Sequence, residues 1–544
     1  MFGNVSRRKN LIEGSFGKDP QEGISYYNAA SRLDDVCVMH YSVADDEQDG
    51  SPARSMEIDD ITWDDLEMDS IFLKINHTNS FVGEQYLYHK LHILDKGRDR
   101  EAADKMESRL EYLDKNPKAR LDIEAHLNGI GKNDGSYQLI DFIQNTELWK
   151  IGNTAVYHIL QVLLIAAIVC AVVFHSIIAI VVAVAVALVN LTTYIILKQK
   201  YDMYLNSLAD FKNIYDFSKW ISAHHKYNGL YESEKVKKVL GRLTVMSGVL
   251  LGMNNRRQSS LSGDIIGMLF DYVWGSFLID VSVFNYVMKT ISKRIDDVSL
   301  LIDYVGEIDC EIAILSYRKY LKNKSGWCRP EINDKGIEVV GLVHPLLNKP
   351  VGNSIHLYDR AVITGANASG KSTFMKSLAI NCILAQSINT CTAEAVSIKP
   401  INVFTCMSLR DDILSGESYY FREAKYLKRM LDVIDEEDDI LIVIDEILKG
   451  TNTKERVAAS KAIMKYISDR KCLAMLATHD NELTETDKYR KYYFTSTVED
   501  NDIHFDYVLH EGICHENNAI TLLDFLGYPA EIVKEARENV VVSG

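Results

Sequence analysis

The sequence predicts an α/β domain at the C-terminal end, a parallel sheet with helices on both faces. An all-α core or lever region carrying an apolar two-helix hairpin precedes it. Three observations carry this expectation. After about residue 336, short β-branched runs alternate with helical stretches, the pattern of a parallel sheet covered on both sides. From Trp63 to about Gly131, and again from about 199 to 325, apolar residues recur at three- and four-residue spacing, as on amphipathic helices. Between Lys150 and Lys198 there is no Asp, Glu, Lys or Arg.

Composition bounds the possibilities. A chain of 544 residues accommodates two to four domains. Eight prolines leave room for long helices. The net charge of −16 argues against a generic nucleic-acid coat but does not exclude DNA, because a local basic stripe would be hidden in such a sum. The nine cysteines form no CxxC pair, which disfavours a metal site or disulfide framework and suits a reducing cytosol. The first residues are basic without an apolar run behind them, unlike a secretory signal.

Residues 1–58 read as a flexible acidic tail, with Asp45-Asp46-Glu47-Gln48-Asp49-Gly50-Ser51-Pro52 as linker and Val36 to Met39 able to pair locally. Residues 59–150 read as the first part of the helical core, with Leu66, Met68, Ile71, Phe72 and Ile75 on one stripe. Residues 151–198 are expected to form a transmembrane hairpin, about 156–174 and 177–197, turning at Phe174-His175-Ser176. The charge-free run exceeds the ~20 residues one span needs and suffices for two. The alternative is a buried helix pair in a soluble core, and soluble helices rarely run this far without a charge on any face. A hairpin puts both flanks on one side. Lys150, Lys198 and Lys200 agree with a cytoplasmic placement of the N- and C-terminal regions. Residues 199–335 continue the helical lever, with stripes through Tyr204, Leu208, Phe211 and Ile214 and through Phe270, Val273, Phe277 and Phe284 that read as core packing. Arg256, Arg257 and the serines nearby mark a turn between long helices.

In residues 336–544, the runs Ile337–Val340, Ala361–Thr364, Ile440–Ile444 and Cys472–Ala477 are the expected strands. The chemistry clusters at their ends. Gly365, Ala366, Asn367, Ala368, Ser369, Gly370, Lys371 and Ser372, followed by Thr373, fit GxxxxGK[ST] between a strand and a helix beginning near Thr373. Such a loop turns backbone N–H groups toward phosphate, and the helix adds its positive end. Lys371 is then expected to reach the β- and γ-phosphates of ATP, and the Ser372 hydroxyl to ligate Mg2+. The strand Ile440–Ile444 runs into Asp445 and Glu446, the first expected to hold magnesium, the second to act as general base on the attacking water. His479, at the end of the next strand, is placed to sense the γ-phosphate or position the water.

These residues resemble the MutS family of DNA mismatch-repair ATPases. The family's G-P-N-M-G-G-K-S-T is similar to Gly365–Thr373, with Asn367, Gly370, Lys371, Ser372 and Thr373 kept. Its D-E-I-G-R-G-T-S-T resembles Asp445–Thr453, and its T-H-x-x-E-L resembles Thr478–Leu483. Its D-D-L-x-x-G-x-S-T-F-M-x-E looks like Asp411–Glu423, which makes Ser418 the signature serine that contacts the partner subunit's γ-phosphate. His344-Pro345 with Val351-Gly352-Asn353, and Leu526–Val533, resemble the start of the ATPase region and its C-terminal dimerisation element. Asn76-His77-Thr78 and Gly83–Leu87 resemble, more loosely, the start of the helical core. The resemblance covers 336–544 well and 60–130 loosely. It implies a homodimer formed through the ATPase domain, with ATP and Mg2+. Leu448, Lys449, Cys406 and Tyr419 to Phe421 depart from the family pattern without removing a catalytic group.

No mismatch-reading Phe-x-Glu motif stands before residue 60, and the hairpin falls where the family carries levers to its DNA clamp. Two functions are expected from this. The first, favoured by the hairpin and the acidic balance, is a dimeric ATP-driven switch tethered to the membrane. The alternative is a mismatch- or damage-sensing ATPase that binds duplex DNA. A transporter reading fails, because two spans are too few for a pathway and no LSGGQ-like segment is visible.

Overall fold

The computed structural model describes residues 9, 12–20, 55–95, 100–133, 135–145, 154–224, 227, 230–231, 233–261, 272–366, 369–407, 419–436, 439–499, 502–513 and 527–543. Two layers of structure, a helical body and an α/β unit, share one continuous apolar core.

A two-stranded antiparallel ribbon, β1 (Ser55–Glu57) with β2 (Ile93–Asp95), brackets the first helices of the body. These are α1 (Asp60–Asp65), α2 (Met68–Ile75) and α3 (Phe81–His92). The expected stripe Leu66, Met68, Ile71, Phe72 and Ile75 is fully buried. Asp59 and Ser80 cap α1 and α3 by accepting from the Thr62 and Gly83 N–H groups, which satisfies donors a helix start leaves free. Then follow α4 (Arg100–Lys115), α5 (Pro117–Leu127), with proline in its first turn, and α6 (Leu139–Gln144).

The apolar run forms α7 (Thr154–Phe174) and α8 (Ile177–Ala223). The chain reverses at His175, with φ of 47°, and Ser176 caps α8 through the Ala179 N–H. The two candidate spans, Thr154–Phe174 and Ile177–Lys198, are only 6% and 11% buried. At the base, Asn190 Nδ2 donates to the Ser276 carbonyl at 2.9 Å and Gln161 Nε2 to Ser282 Oγ at 2.8 Å. Helix α8 passes residue 198 without a break, 47 residues or about 70 Å in all. Its far end buries Phe211, Ile214, Tyr215 and Phe217 in the body.

Among the described residues three more helices belong to the body: α9 (Glu234–Leu261), α10 (Ile279–Lys293) and α11 (Ile295–Lys322). The turn expected at Arg256, Arg257 and the nearby serines does not fall on the arginines, since α9 runs through both to Leu261, and the residues just after it lie outside the described ones. The stretch Met253–Leu261 contains neither glycine nor proline, so nothing in it breaks the helix. Helix α11 is buried along most of its length and crosses α3 closely. A Cβ on Gly83 would stand 2.3 Å from Asp309 Oδ2. Asp309 accepts from the Asn79 and Ser80 N–H groups at 2.9 and 2.7 Å and from Ser80 Oγ at 2.6 Å.

The N-terminal region departs from the expected flexible tail where it is described. Phe16 is buried, its ring 3.4 Å from the Arg120 guanidinium carbon and 4.9 Å from Lys319 Nζ. The Gly17 N–H donates to Ser316 Oγ at 2.9 Å. One aromatic ring between two cations anchors the segment. Val36–Met39 and the acidic linker lie outside the described residues.

In the α/β unit the strands are β3 (Glu331–Ile332), β4 (Ile337–Leu342), β5 (Asn353–Leu357), β6 (Arg360–Thr364), β7 (Ala395–Ile398), β8 (Asn402–Cys406), β9 (Ile440–Asp445), β10 (Leu473–Ala477), β11 (Arg490–Tyr493), β12 (Ser496–Glu499), β13 (Asp502–Phe505) and β14 (His510–Glu511). The larger sheet has the order β14-β11-β6-β10-β9-β8, parallel except for β14 at one edge. The expected run Ile337–Val340 is a strand but belongs elsewhere. It lies in a mixed sheet of order β3-β7-β4-β5, antiparallel to β5 and β7. Its alternating burial suits a half-exposed antiparallel strand, whereas β6, β8 and β10 are buried at every residue.

Alternate side chains of the parallel strands feed two cores. Ile363, Leu441, Val443 and Met475 pack with α12 (Lys371–Ser387) in the core shared with the body. Val362, Ile442, Ile444 and Leu476 pack with α13 (Tyr419–Ile434) and α14 (Thr453–Ser468) on the other face. A last helix, α15 (Ala530–Ser543), follows. The body grips the sheet at β8, where Asp65 accepts from Thr405 Oγ1 and from the Met407 N–H, both at 2.8 Å.

Candidate active site

The site gathers at the C-terminal ends of the central parallel strands, where ligands bind in open α/β sheets. After β6 the chain turns at Gly365, with φ of 143°, and passes Gly370, with φ of 112°, directly into α12. The helix begins at Lys371, two residues earlier than the sequence suggests. A Cβ on Gly365 would lie 2.6 Å from the Phe494 carbonyl oxygen, so both backbone angle and space demand glycine there. Ala366 and Ser369 belong to this turn, and Asn367 and Ala368 lie outside the described residues.

Lys371 is buried, and its Nζ donates to the Gly365 and Ala366 carbonyls at 2.8 Å each. Burial lowers its pKa, opposed by the carboxylates of Asp445 and Glu446. Its ammonium thus already rests against the loop. Ser372 Oγ donates to Asp445 Oδ2 at 2.5 Å, and Thr373, next on the helix, is exposed.

Glu446 follows β9 in the left-handed region, with φ of 64°, and its N–H donates to the Ala477 carbonyl at 3.0 Å. That backbone turn carries the carboxylate toward the strand beside it. His479 Nε2 lies 2.8 Å from Glu446 Oε1, and Lys449 Nζ 3.8 Å from Oε2. The hydrogen bond from His479 holds the Glu446 carboxyl below the usual range, against the opposing effect of burial. Buried Glu423 accepts from the Lys449 and Gly450 N–H groups at 2.8 and 3.4 Å and so holds the turn after Glu446. Arg456 clamps Asp480 with two bonds of 3.0 and 2.8 Å, fixing the residue after His479. Ser418 lies outside the described residues.

Lys371, Ser372, Asp445, Glu446 and His479 line a cavity of about 510 Å³. A further stretch of its wall was not expected as part of the site and includes Leu347, Lys349, Val351, Phe494 and Tyr507, the last two beside Gly370. Asn353 builds that wall, donating to the Tyr507 carbonyl at 3.0 Å and accepting from the Leu509 N–H at 2.7 Å. His344 also lines it, and burial lowers its pKa to about 4, leaving a neutral imidazole at pH 7. The cavity therefore offers a cation, a hydroxyl and two carboxylates. Its wall also offers an aromatic and aliphatic surface and a further cation, Lys349.

For magnesium, Ser372 and Asp445 form an all-oxygen pair, the donor set this hard cation takes. Among the described residues no group of three or more His, Cys, Asp or Glu could hold a metal. The pair fits an ion completed by phosphate oxygens and water.

Residues 361–542 match the family model described as MutS domain V. A protein named DNA mismatch repair protein MutS 2 of Haloarcula marismortui is 26% identical over 292 residues, 48% of this chain and 30% of its own length. DNA mismatch repair protein MutS of Natronomonas pharaonis is 29% identical over 269 residues, 47% of this chain and 31% of its own. That of Finegoldia magna is 30% identical over 278 residues, 48% and 32%. These matches support MutS family membership for the C-terminal part of the chain. The matched part spans about a third of the length of these relatives. In MutS proteins the matched domain is an α/β ATPase unit, and it supplies Lys371, Ser372, Asp445, Glu446 and His479 to the cavity.

Proposed function

We propose that the chain binds ATP with magnesium in the cavity between Lys371 and Tyr507 and hydrolyses it to ADP and phosphate. The observation that carries the reading is the convergence of Lys371, the Ser372–Asp445 pair and the Glu446–His479 pair at adjacent strand ends. The γ-phosphate replaces the Gly365 and Ala366 carbonyls as partner of the Lys371 ammonium. Ser372 and Asp445 hold the magnesium ion, which when bound neutralises charge on the β- and γ-phosphates. Glu446 takes the proton of the attacking water, and His479 keeps that carboxylate ionised and aimed. The adenine ring of ATP lies against the aromatic and aliphatic surface by Tyr507. Titration of the chain with magnesium-ATP tests this: the wild type saturates, and Lys371→Ala loses binding while keeping its far-UV circular dichroism. Equal affinity in the variant contradicts it.

What the ATPase serves has two readings. The relatives are named as DNA mismatch repair proteins, and this favours a DNA-directed repair ATPase working as a dimer on duplex DNA. Ser418 would contact the partner subunit's nucleotide, and Ala530–Ser543 would contribute to the dimer. The comparisons do not support the membrane-tethered switch. What favours a membrane anchor is the hairpin itself, long, free of charge and almost wholly exposed. Duplex-DNA filter binding across a salt series separates the two. A DNA-directed protein binds and weakens steeply with salt; absence of binding at low salt leaves the membrane reading.

A further inference from the structure

Helices α11 and α12 end in different parts of the fold, one in the body and one behind the phosphate-facing loop. Just beyond their ends, Cys328 and Cys391 meet as a directly opposed antiparallel pair. The Cys328 N–H donates to the Cys391 carbonyl and the Cys391 N–H to the Cys328 carbonyl, both at 3.0 Å. Residues that exchange both backbone bonds stand about 5.5 Å apart at Cα, with side chains on the same face. A disulfide spans Cα separations of about 4.4–6.8 Å, with a mode near this value.

The surroundings hold the two segments together. Arg318 stacks over the Trp327 ring, its guanidinium carbon 4.4 Å from the centroid, and donates to Thr390 Oγ1 at 2.8 Å and to the Asn389 carbonyl at 2.9 Å. One arginine thereby pins the neighbour of each cysteine. The thiols also differ in access: Cys328 is half-buried and Cys391 is fully buried. The hydrogen bond between them lowers the Cys328 pKa. Burial pushes the thiols of Cys310, Cys382 and Cys406 up to about 12 and raises that of Cys472. Cys328 therefore combines access, a lowered thiol pKa and a second thiol directly opposite it, the attributes of a redox-responsive cysteine.

We propose that Cys328 and Cys391 are a redox-active dithiol that a low-molecular-weight disulfide oxidises to an intramolecular disulfide, tying the end of α11 to the end of α12. The Cys328 thiolate attacks one sulfur of the small disulfide, forming a mixed disulfide and expelling a thiolate. Cys391 then attacks the Cys328 sulfur and expels the second small thiol, which carries away the Cys391 proton. Two protein thiols are oxidised, one disulfide is reduced to two thiols, and an external dithiol reverses the reaction. In a reducing cytosol the pair stays open and closes only when the thiol pool is oxidised.

Peptide mapping of the full folded chain tests this. The protein is equilibrated in glutathione buffers from fully reduced to fully oxidised, quenched in acid, alkylated and digested without reductant. The expected result is a peptide linking Cys328 to Cys391, lighter by two hydrogens, that grows with oxidised glutathione and disappears with dithiothreitol. Cys328→Ser, at a half-buried position, abolishes the linked peptide and leaves Cys391 alkylatable after unfolding. The proposal is overturned if both cysteines remain alkylatable in oxidised buffer. It is equally overturned if Cys328 stops at a glutathione adduct that Cys391 never displaces.

Discussion

Glu446 Oε1 and His479 Nε2 lie 2.8 Å apart across the ends of two neighbouring parallel strands, β9 and β10. The contact exists because Glu446 adopts a left-handed backbone and bonds through its own N–H to Ala477, two residues before His479. A residue with a Cβ holds that conformation only where its surroundings compensate. Here a backbone bond on one side and a side-chain pair on the other do so.

The pair has a pH signature. The His479 hydrogen bond is the largest influence on the Glu446 pKa and lowers it, so the basic form persists to lower pH than a free glutamate's. In His479→Ala that influence is gone and the carboxyl protonates at higher pH. The acid limb of kcat against pH is therefore expected to move upward in the variant, alongside a lower plateau. An acid limb that stays in place contradicts the assigned pairing.

Asp445 separates metal binding from nucleotide binding. Asp445→Asn retains an oxygen to accept from Ser372, whose bond is 2.5 Å in the wild type, but loses the carboxylate charge a hard cation favours. The magnesium concentration for half-maximal ATPase activity is expected to rise by about tenfold or more. An unchanged magnesium titration would remove Asp445 from the metal site.

The close crossing of α3 and α11 has no slack at Gly83, where an added Cβ would come 2.3 Å from Asp309 Oδ2. Gly83→Ala is expected to destabilise the chain by about 1–3 kcal/mol, the usual cost of overpacking. Chemical denaturation reads this as a lower midpoint at unchanged slope.

Local chemistry was legible in the sequence, and long-range contact was not. The loop Gly365–Ser372 and the acid pair Asp445-Glu446 each sit within one short segment, where apolar runs and turn residues announce strand, turn and helix. Tyr507 faces the same cavity only because Asn353, far away in the chain, holds its carbonyl, and no local pattern encodes that. The turn expected around Arg256 rested on polarity alone, and polarity without glycine or proline did not end α9 before Leu261. Phe16 sat in a stretch too polar to suggest order, and it docks through cation–π contacts that hydrophobic periodicity does not report. The placement of Ile337–Leu342 in its own mixed sheet was hidden because a short β-branched run does not state its partners.

The hairpin admits a direct test. If the exposed faces of Thr154–Phe174 and Ile177–Lys198 meet lipid, the full chain floats with phospholipid vesicles in a density gradient. Arginine at Val169 and Val181, each costing about 2.5–3.5 kcal/mol at a span's centre, reduces that flotation. A chain that stays at the bottom without detergent excludes the anchor.

The measurement that bears most directly on the central claim compares wild type with Glu446→Gln in one preparation, reading equilibrium binding of magnesium-ATP together with release of phosphate. The amide keeps the size of the side chain but cannot take a proton from water. Both proteins are expected to bind nucleotide, and only the wild type to turn it over, with the variant slower by about 10²–10⁴-fold. Phosphate release by the variant at the wild-type rate, or a wild type that binds no magnesium nucleotide, contradicts the account.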